Sequence, residues 1–289
     1  MPEASSVRWI TTRDGTRLAV AEHGSGPAIV FVHEFGGDMT SWDGQVRALQ
    51  GSHRCVTFNA RGYPPSDVPD DPAMYSQAHA RDDVLDVMDA LGIERTALVG
   101  LSMGAFAVLH ATLAEPERIS ALVVAGIGYG AELATQEGFR ARMRANADAI
   151  EREGMAAFAD AYGHDPARIQ LETKDPAAFE AQRRRLAAHS TRGSASTMRG
   201  VQGRRPSVLE LTEELASLQV PTLIIEGELD TEARIGSAHL AASIPNSRLE
   251  TFEGDGHLLN LEDPERFNEL VAAFIERQAE GPARLPSIR

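Results

Sequence analysis

Disulfide bonds, membrane spans and secretion signals have little support in this sequence. Cys55 is the only cysteine among the 289 residues, so no disulfide can form within the chain. The longest apolar run, residues 121–127, is far shorter than the roughly 20 residues that a helix needs to cross a bilayer. Residues 1–9 contain no apolar core of the kind that secretion signals carry. We therefore expect a cytoplasmic protein that does not bind membranes.

Basic charge is also scarce. The 28 Lys and Arg residues face 42 Asp and Glu residues, which gives a formal net charge of −14 with neutral histidines, and Lys174 is the only lysine. A chain this acidic is a poor candidate for binding the phosphate backbone of nucleic acids. We therefore expect a small molecule as partner, no nucleic acid, and leave a homodimer open.

The motifs that bind nucleotide cofactors and metals are missing as well. The sequence contains no Walker-type phosphate loop, and no histidine or cysteine spacing typical of zinc sites. Gly126, Gly128 and Gly130 alternate after an apolar run, but a dinucleotide-binding turn would need its third glycine at Ala131. The sequence therefore predicts no cofactor and no metal.

Apolar runs that alternate with amphipathic stretches indicate the fold class. Strands are predicted at residues 7–12, 17–22, 28–33, 54–59, 96–101, 121–125, 222–226 and 248–252. Helices are predicted at residues 77–91, from Ser102 to about 114, and near the end of the chain, where apolar residues fall at helical spacing (Phe267, Leu270, Val271, Phe274 and Ile275). This alternation predicts an α/β fold: a mostly parallel, twisted sheet with helices on both faces.

The alternation stops between Gly128 and Ser207. Only helices are predicted there, at residues 132–145, 147–162, 176–190 and 194–200. A helical insertion between two core strands is typical of a lid over a site at the sheet edge. We therefore divide the chain into a core domain of residues 1–127 and 208–289 and a helical lid of residues 128–207.

A pentapeptide of the form Gly-x-Ser-x-Gly marks a candidate nucleophile. It runs from Gly100 to Gly104, directly after an apolar strand and directly before a helix-forming stretch. A sharp turn from strand to helix holds the serine at its apex, and the small glycines let the two elements pass closely. Ser102 is therefore the predicted catalytic nucleophile, with an ordinary strand–helix turn as the alternative.

A serine hydroxyl needs an adjacent base, and the base needs an acid to orient it. His257 follows the last predicted strand in a loop with Gly254 and Gly256, which permit the tight turn that aims an imidazole at the sheet edge. Asp230 lies just past the strand at residues 222–226 and is the predicted acid. Glu228 is its rival because it lies closer to the strand end.

The order Ser102, Asp230, His257, together with the elbow motif and the strand pattern, resembles the α/β-hydrolase superfamily over nearly the whole chain. The resemblance implies a helical lid and a serine esterase or lactonase that needs no cofactor. It also implies an oxyanion hole made by the backbone N–H groups of Met103 and Phe35.

Two segments depart from that family pattern. The usual His-Gly start of the oxyanion loop is here His33-Glu34, and a carboxylate beside the hole would disfavour a negatively charged intermediate. We therefore expect Glu34 to be turned away or paired with an arginine, with Arg61 as one candidate. The second departure, residues 59–67, contains Tyr63, which could line the pocket or belong to a structural loop.

Several large side chains and a run of arginines bear on the substrate. Residues 181–209 contain seven arginines and neither Asp nor Glu, so this stretch could attract an anionic substrate or pack as a solvated face on acidic neighbours. Candidates for the substrate pocket, each with ordinary packing as the alternative, are Glu34, Tyr63, Tyr129, Phe139, Met143, Phe158, Tyr162, Met198 and Leu258.

Three functions follow from these observations. The first is a hydrolase of carboxylic esters that uses Ser102, His257 and Asp230 and passes through an acyl-enzyme. The second keeps these residues but cleaves a lactone, an enol-lactone or a carbon–carbon bond of an anionic substrate held by the arginine-rich lid. The third is a member of the fold that binds a small ligand without catalysis, since a fold by itself does not determine function.

Overall fold

A twisted sheet of eight strands forms the centre of the computed structural model, which describes residues 7–279. Its strands, numbered along the chain, are β1 (Arg8–Thr11), β2 (Arg17–His23), β3 (Ala28–Val32), β4 (Arg54–Phe58), β5 (Thr96–Leu101), β6 (Ile119–Ala125), β7 (Thr222–Gly227) and β8 (Ser247–Phe252). They lie in the order β1-β2-β4-β3-β5-β6-β7-β8. The pairings from β4 across to β8 in this order are all parallel, whereas β2 pairs antiparallel with both β1 and β4.

Helices connect the parallel strands and cover both faces, which confirms the predicted α/β class. They are α1 (Asp43–Leu49), α2 (Gln77–Ala90), α3 (Met103–Ala114), α4 (Gln136–Gly163), α5 (Gln170–Lys174), α6 (Pro176–Ala187), α7 (Thr191–Ser196), α8 (Thr212–Ser217), α9 (Thr231–Ser243), α10 (Leu259–Glu262) and α11 (Pro264–Ala279). Short 3₁₀ turns lie at Met39–Trp42, Pro72–Met74, Pro116–Arg118 and Val208–Leu211. No helix between residues 7 and 279 has both the length and the apolar character needed to cross a membrane.

The two faces of the sheet bury separate apolar clusters because successive side chains of a strand point to opposite sides. Val30 and Leu98 pack on one face with Phe106 of α3. Phe31 points to the other face, where its ring centroid lies 5.2 Å from that of Trp42. Strands covered on both sides must be apolar throughout, which explains the unbroken apolar runs of β3, β5 and β6.

The region between β6 and β7 is helical, and its details differ from the sequence prediction. The helices predicted at 132–145 and 147–162 correspond to α4, which consists of two helical segments on either side of a kink at Gly154 (φ 82°, ψ 167°), so the break lies eight residues later than predicted. The short helix α5 was not predicted, and the helix predicted at 194–200 is divided between α7 and a π-helical stretch, Thr197–Gln202. Residues 128–207 are called the helical insertion below.

Chain direction across the sheet reverses beside β3. Its neighbours are β4 on one side and β5 on the other, so the connections leave the carboxyl ends of β3 and β5 in opposite directions. In open α/β sheets such a reversal creates a crevice outside the carboxyl ends of the strands, where ligands bind. The loops after β3, β5, β7 and β8 meet at this edge and are described next.

Candidate active site

Ser102 stands at a strained turn between β5 and α3. Its backbone has φ 53° and ψ −113°, and among residues 7–279 it is the only non-glycine residue with positive φ. A Cβ atom on Gly100 would lie 2.4 Å from the carbonyl oxygen of Gly104, and one on Gly104 would lie 2.0 Å from that of Val32. The two glycines therefore permit the close passage of strand and helix, and such strain persists only where the surroundings impose it.

His257 and Asp230 lie together at the carboxyl ends of neighbouring strands. Asp230 follows β7 and His257 follows β8, and Nδ1 of the imidazole lies 2.5 Å from Oδ2 of the carboxylate. Both side chains are almost fully buried. The rival Glu228 points elsewhere, because its carboxylate accepts the backbone N–H of Gly254 at 2.9 Å. The structure thus brings Asp230, and not Glu228, to the histidine.

Tyr129 is a second partner of the aspartate. Its hydroxyl donates to Oδ1 of Asp230 at 2.6 Å, and its ring meets the imidazole of His257 edge-on, with centroids 4.9 Å apart. Burial raises the pKa of Asp230, but the neighbouring imidazole and the two hydrogen bonds outweigh burial, so the pKa lies below its usual range. Asp230 is therefore ionised at neutral pH.

The loop that carries His257 is held from two sides. The carboxylate of Glu262 accepts the backbone N–H groups of Gly256, at 2.5 Å, and Leu258, at 2.8 Å. From the helical insertion, the carbonyl oxygen of Ala167 accepts the backbone N–H of His257 at 2.6 Å. A Cβ atom on Gly256 would lie 2.3 Å from that same oxygen. The glycine therefore permits the insertion to approach the loop.

The proposed oxyanion residues lie on two adjacent turns. Met103 begins α3 directly after Ser102, and Phe35 lies in the loop after β3. Tyr63, predicted as a pocket residue, instead lies behind this loop, where its hydroxyl donates to the carbonyl oxygen of Phe35 at 3.0 Å. His33 is buried and has a lowered pKa because burial disfavours its charge. It bonds to neighbouring backbone, which agrees with a structural role.

Of the two alternatives expected for Glu34, a side chain turned away or one paired with an arginine, the arginine pairing is not found among residues 7–279. Glu34 accepts instead from Nε2 of Gln182 at 2.8 Å and from the hydroxyl of Ser41 at 3.4 Å. Arg61 is engaged by other carboxylates, Asp83 at 2.6 Å and Asp14 at 2.9 Å. The sequence could not distinguish these partners, because folding decides which acids come within reach of the Arg61 guanidinium.

Two cavities adjoin the candidate catalytic residues. The larger one contains ≈ 740 Å³ of empty space, open solvent at its mouth included. Its lining includes Ser102 and six of the predicted pocket residues, namely Tyr129, Phe139, Met143, Phe158, Tyr162 and Met198. The smaller one, ≈ 400 Å³ on the same measure, is lined by His257 together with Glu34 and Leu258. The structure therefore divides the predicted pocket between two cavities, and Tyr63 lines neither of them.

The arginine-rich stretch does not supply the arginine of the larger cavity. Within this stretch, Arg183, Arg192 and Arg199 pair with Asp or Glu side chains, and none of them lines the cavity that contains Ser102. Arg142 and Arg168 do line it. These two residues precede the stretch and are not among the predicted pocket residues.

Arg168 is the more buried of the two arginines. Its guanidinium donates to the hydroxyl of Tyr162 at 2.9 Å and lies 4.1 Å from the centroid of that ring. Asp165 lies 3.3 Å away and is largely solvent-exposed. Burial alone would lower the pKa of Arg168, but Tyr162, Tyr129 and the nearby acids raise it above its usual range. Arg168 is thus a permanent cation that lines both cavities.

Known proteins resemble this chain over almost its full length. 3-Oxoadipate enol-lactonase 1 of Acinetobacter baylyi is 30% identical over 279 residues, which cover 96% of this chain and 99% of that protein. A putative 2-succinyl-6-hydroxy-2,4-cyclohexadiene-1-carboxylate synthase of Bacillus subtilis is 31% identical over 274 residues, covering 92% and 97% of the two chains. The crystal structure of a hydrolase from Pseudomonas aeruginosa superposes with a TM-score of 0.82 at 29% identity, covering 94% of this chain and 99% of that one.

These likenesses confirm the resemblance first drawn from the motif order. Residues 27–264 match the sequence model of the family described as alpha/beta hydrolase fold. The relatives and the solved structure support a hydrolase activity. From this match and the sheet topology, we conclude that the chain belongs to the α/β-hydrolase family.

Proposed function

We propose that this protein is a serine hydrolase that cleaves carboxylic esters through an acyl-enzyme. The observation that carries the proposal is the buried pair of His257 and Asp230, which lies at the same sheet edge as the strained turn of Ser102. A histidine bonded to an ionised carboxylate is oriented to accept the proton of a serine hydroxyl.

The reaction proceeds in two halves. Ser102 Oγ attacks the ester carbonyl while Nε2 of His257 takes the hydroxyl proton. His257 then gives this proton to the leaving oxygen as the carbon–oxygen bond breaks, which releases the alcohol and leaves the acyl group on Ser102. Water that loses a proton to His257 attacks the acyl carbon, and the carboxylic acid departs as Ser102 regains its proton.

Charge in the intermediate is stabilised by the backbone. The N–H groups of Met103 and Phe35 donate to the oxyanion. Tyr63 holds the loop that carries Phe35 in place, because its hydroxyl donates to the carbonyl oxygen of Phe35. Loss of one such donor typically costs about 3–4 kcal/mol of transition-state stabilisation. Asp230 remains ionised throughout and stabilises the imidazolium.

The helical insertion acts as a lid in this proposal. It contacts the catalytic loop through the carbonyl oxygen of Ala167 and through an ion pair between Lys174 and the buried Asp255. It also supplies Arg168 and Tyr162 to both cavities. A cover of this kind reduces the access of water, and electrostatic interactions are stronger where water is excluded.

A fluorophosphonate probe tests the proposal directly. The folded protein is treated with the probe, and the modified residue is mapped by mass spectrometry against an untreated sample and a heat-denatured one. We expect labelling at Ser102 in the folded protein only, because activation of the serine requires the assembled site. Labelling elsewhere, or none on folded protein, would contradict the mechanism and favour a ligand-binding member of the fold without catalysis.

A second candidate keeps the same residues but changes the bond and the substrate charge. Two relatives are named as a 3-oxoadipate enol-lactonase and as a putative 2-succinyl-6-hydroxy-2,4-cyclohexadiene-1-carboxylate synthase, so both names refer to carboxylate-bearing compounds. The buried cation Arg168 in the cavity of Ser102 favours an anionic substrate here as well, since an arginine can donate two parallel hydrogen bonds to a carboxylate. A comparison of kcat/KM for a carboxylate-bearing lactone and its neutral methyl ester distinguishes this candidate from a general esterase.

A further inference from the structure

Glu34 is a buried carboxylate at a position where the family commonly has glycine. It is 3% exposed and directly precedes Phe35, the proposed oxyanion residue. Burial of an ionised carboxylate is costly unless hydrogen bonds satisfy its oxygens. Any role of this side chain must therefore explain where both oxygens find donors.

One oxygen of Glu34 is held in place by a built network. Oε1 accepts from Gln182 and from Ser41, and the side-chain oxygen of Gln182 in turn accepts from Arg185 at 2.5 Å. A Cβ atom on Gly37 would lie 2.2 Å from Oε1, so the loop has room for the carboxylate only because residue 37 is glycine. The carboxylate is thus positioned from the loop and from the helical insertion at once.

The other oxygen, Oε2, is buried and has no hydrogen-bond partner among residues 7–279. Glu34 lines the smaller cavity, which also contains His257. Nε2 of His257 likewise has no partner within the described part of the chain. An acceptor and the proposed proton donor therefore adjoin one cavity, whose further lining is mainly apolar (Ala159, Phe179, Leu186 and Leu258).

We propose that Oε2 of Glu34 binds a hydroxyl group on the alcohol portion of the ester substrate. The inference rests on the proposed serine-hydrolase mechanism, in which His257 donates a proton to the leaving oxygen. The alcohol portion must therefore lie on the side of His257, and the cavity on that side is the one that Glu34 lines.

The charges around this cavity favour a neutral donor over an ammonium group. Arg168 and Arg183 line the same cavity, and both are cations. Arg183 is paired with Asp160 and Glu180, so Arg168 is the cation that repels a positive ligand here. The carboxylate of Glu34 can still accept a hydrogen bond from a hydroxyl. The apolar walls suit a short carbon chain that carries one hydroxyl, such as the alcohol portion of a diol monoester.

Three esters of one acyl group test the proposal: the 2-hydroxyethyl, the propyl and the 2-methoxyethyl ester. The propyl ester matches the hydroxyethyl ester in size, and the methoxyethyl ester matches its electron withdrawal but lacks the donor. We expect kcat/KM of the unmodified protein to be about tenfold or more higher for the hydroxyethyl ester than for either of the others. Glu34→Gly should abolish this preference, and Glu34→Gln should retain part of it through its carbonyl oxygen.

The control variant is Glu172→Gln, which changes an exposed carboxylate of the insertion and should leave the preference intact. Equal kcat/KM for the three esters in the unmodified protein would overturn the proposal, and this measurement stands even if a Glu34 variant fails to fold. An equal loss for all three esters in Glu34→Gly would also overturn it, since that pattern indicates bracing of the loop alone. If no ester is cleaved and Ser102 resists the fluorophosphonate, the proposed function itself fails.

Discussion

The sheet core and the helical insertion contribute to the site in different ways. In the core, Ser102, Asp230 and His257 each follow a parallel strand, so strand order alone brings them to one edge. In the insertion, Arg168 and Gln182 reach the cavities through packing between helices and loops. In the proposed mechanism the core therefore supplies the reaction chemistry, whereas the insertion shapes the space for the substrate.

The largest effect should come from the proposed nucleophile in the core. Ser102→Ala removes the attacking oxygen, so kcat for an activated ester should fall by about 10⁴-fold or more, as in other serine hydrolases that lose this group. Steady-state kinetics measure the loss, with Ser217→Ala at an exposed helix end as the control. Unchanged activity in Ser102→Ala would refute the assignment of chemistry to this strand end.

The acid of the core should have the next largest effect. Asp230→Asn keeps the shape but presents an N–H or a neutral oxygen to Nδ1, which favours the wrong imidazole tautomer, so kcat should fall by about 10⁴-fold at most. Glu228→Gln is the matched control, because this rival carboxylate contacts only the backbone of Gly254. A larger loss in Glu228→Gln than in Asp230→Asn would reverse the assignment.

The insertion should affect substrate choice more than the chemical step. Arg168→Met should lower kcat/KM for a carboxylate-bearing lactone by about 10- to 100-fold, the usual worth of a hydrogen bond to a charged group. Turnover of a neutral ester should change far less. Arg199→Met is the control, since Arg199 pairs with Asp148 and Glu151 away from both cavities. Equal losses for the charged and the neutral substrate would show that Arg168 has no role in anion recognition.

The smallest effect should appear in acid stability, for which we compare one partly buried histidine from each region. Burial lowers the pKa of His110 in α3 and of His189 in the insertion to about 4. Both side chains are neutral in the folded protein at neutral pH. Their contribution to the free energy of unfolding is therefore complete above pH 6.5, the ordinary pKa of histidine, and is lost as the pH falls toward 4. Each should account for about 1–2 kcal/mol of that loss once partial exposure is allowed for.

The variants His110→Leu and His189→Leu separate these two contributions. Thermal unfolding is measured from pH 7 to pH 4 for each variant and for the unmodified protein. Each variant should show a shallower decline of Tm with acidification, because one group that takes up a proton on unfolding is gone. An acid decline that is unaltered in both would mean that neither histidine is buried as described.

The misplaced predictions belong mainly to the insertion and its contacts. A helix period reveals which residues share a face, but it does not say where a helix ends, so the predicted break in α4 lies before the observed kink at Gly154, and α5 is not predicted. The arginines of residues 181–209 are mostly engaged by acids that lie far away in sequence, as Arg192 is by Asp70. Arg168 carries no local signal, because it lies between two helices in a short turn.

Glu34 illustrates the same limit at the edge of the core. The departure from the family pattern identified the residue, but its partner Gln182 lies 148 positions away and could not be chosen over Arg61. Hydrogen-bond partners across such distances depend on how elements dock, and one-dimensional patterns do not encode that docking.

The sequence by itself determined the fold class, the family and the order of Ser102, Asp230 and His257, because strand periodicity and the elbow motif are local properties. Tertiary structure decided which acid meets the imidazole, where Tyr129 and Arg168 stand, and how the pocket divides into two cavities. The reason is that strand ends converge at one edge in any parallel sheet, whereas the shape and charge of a cavity depend on side-chain packing between segments distant in sequence.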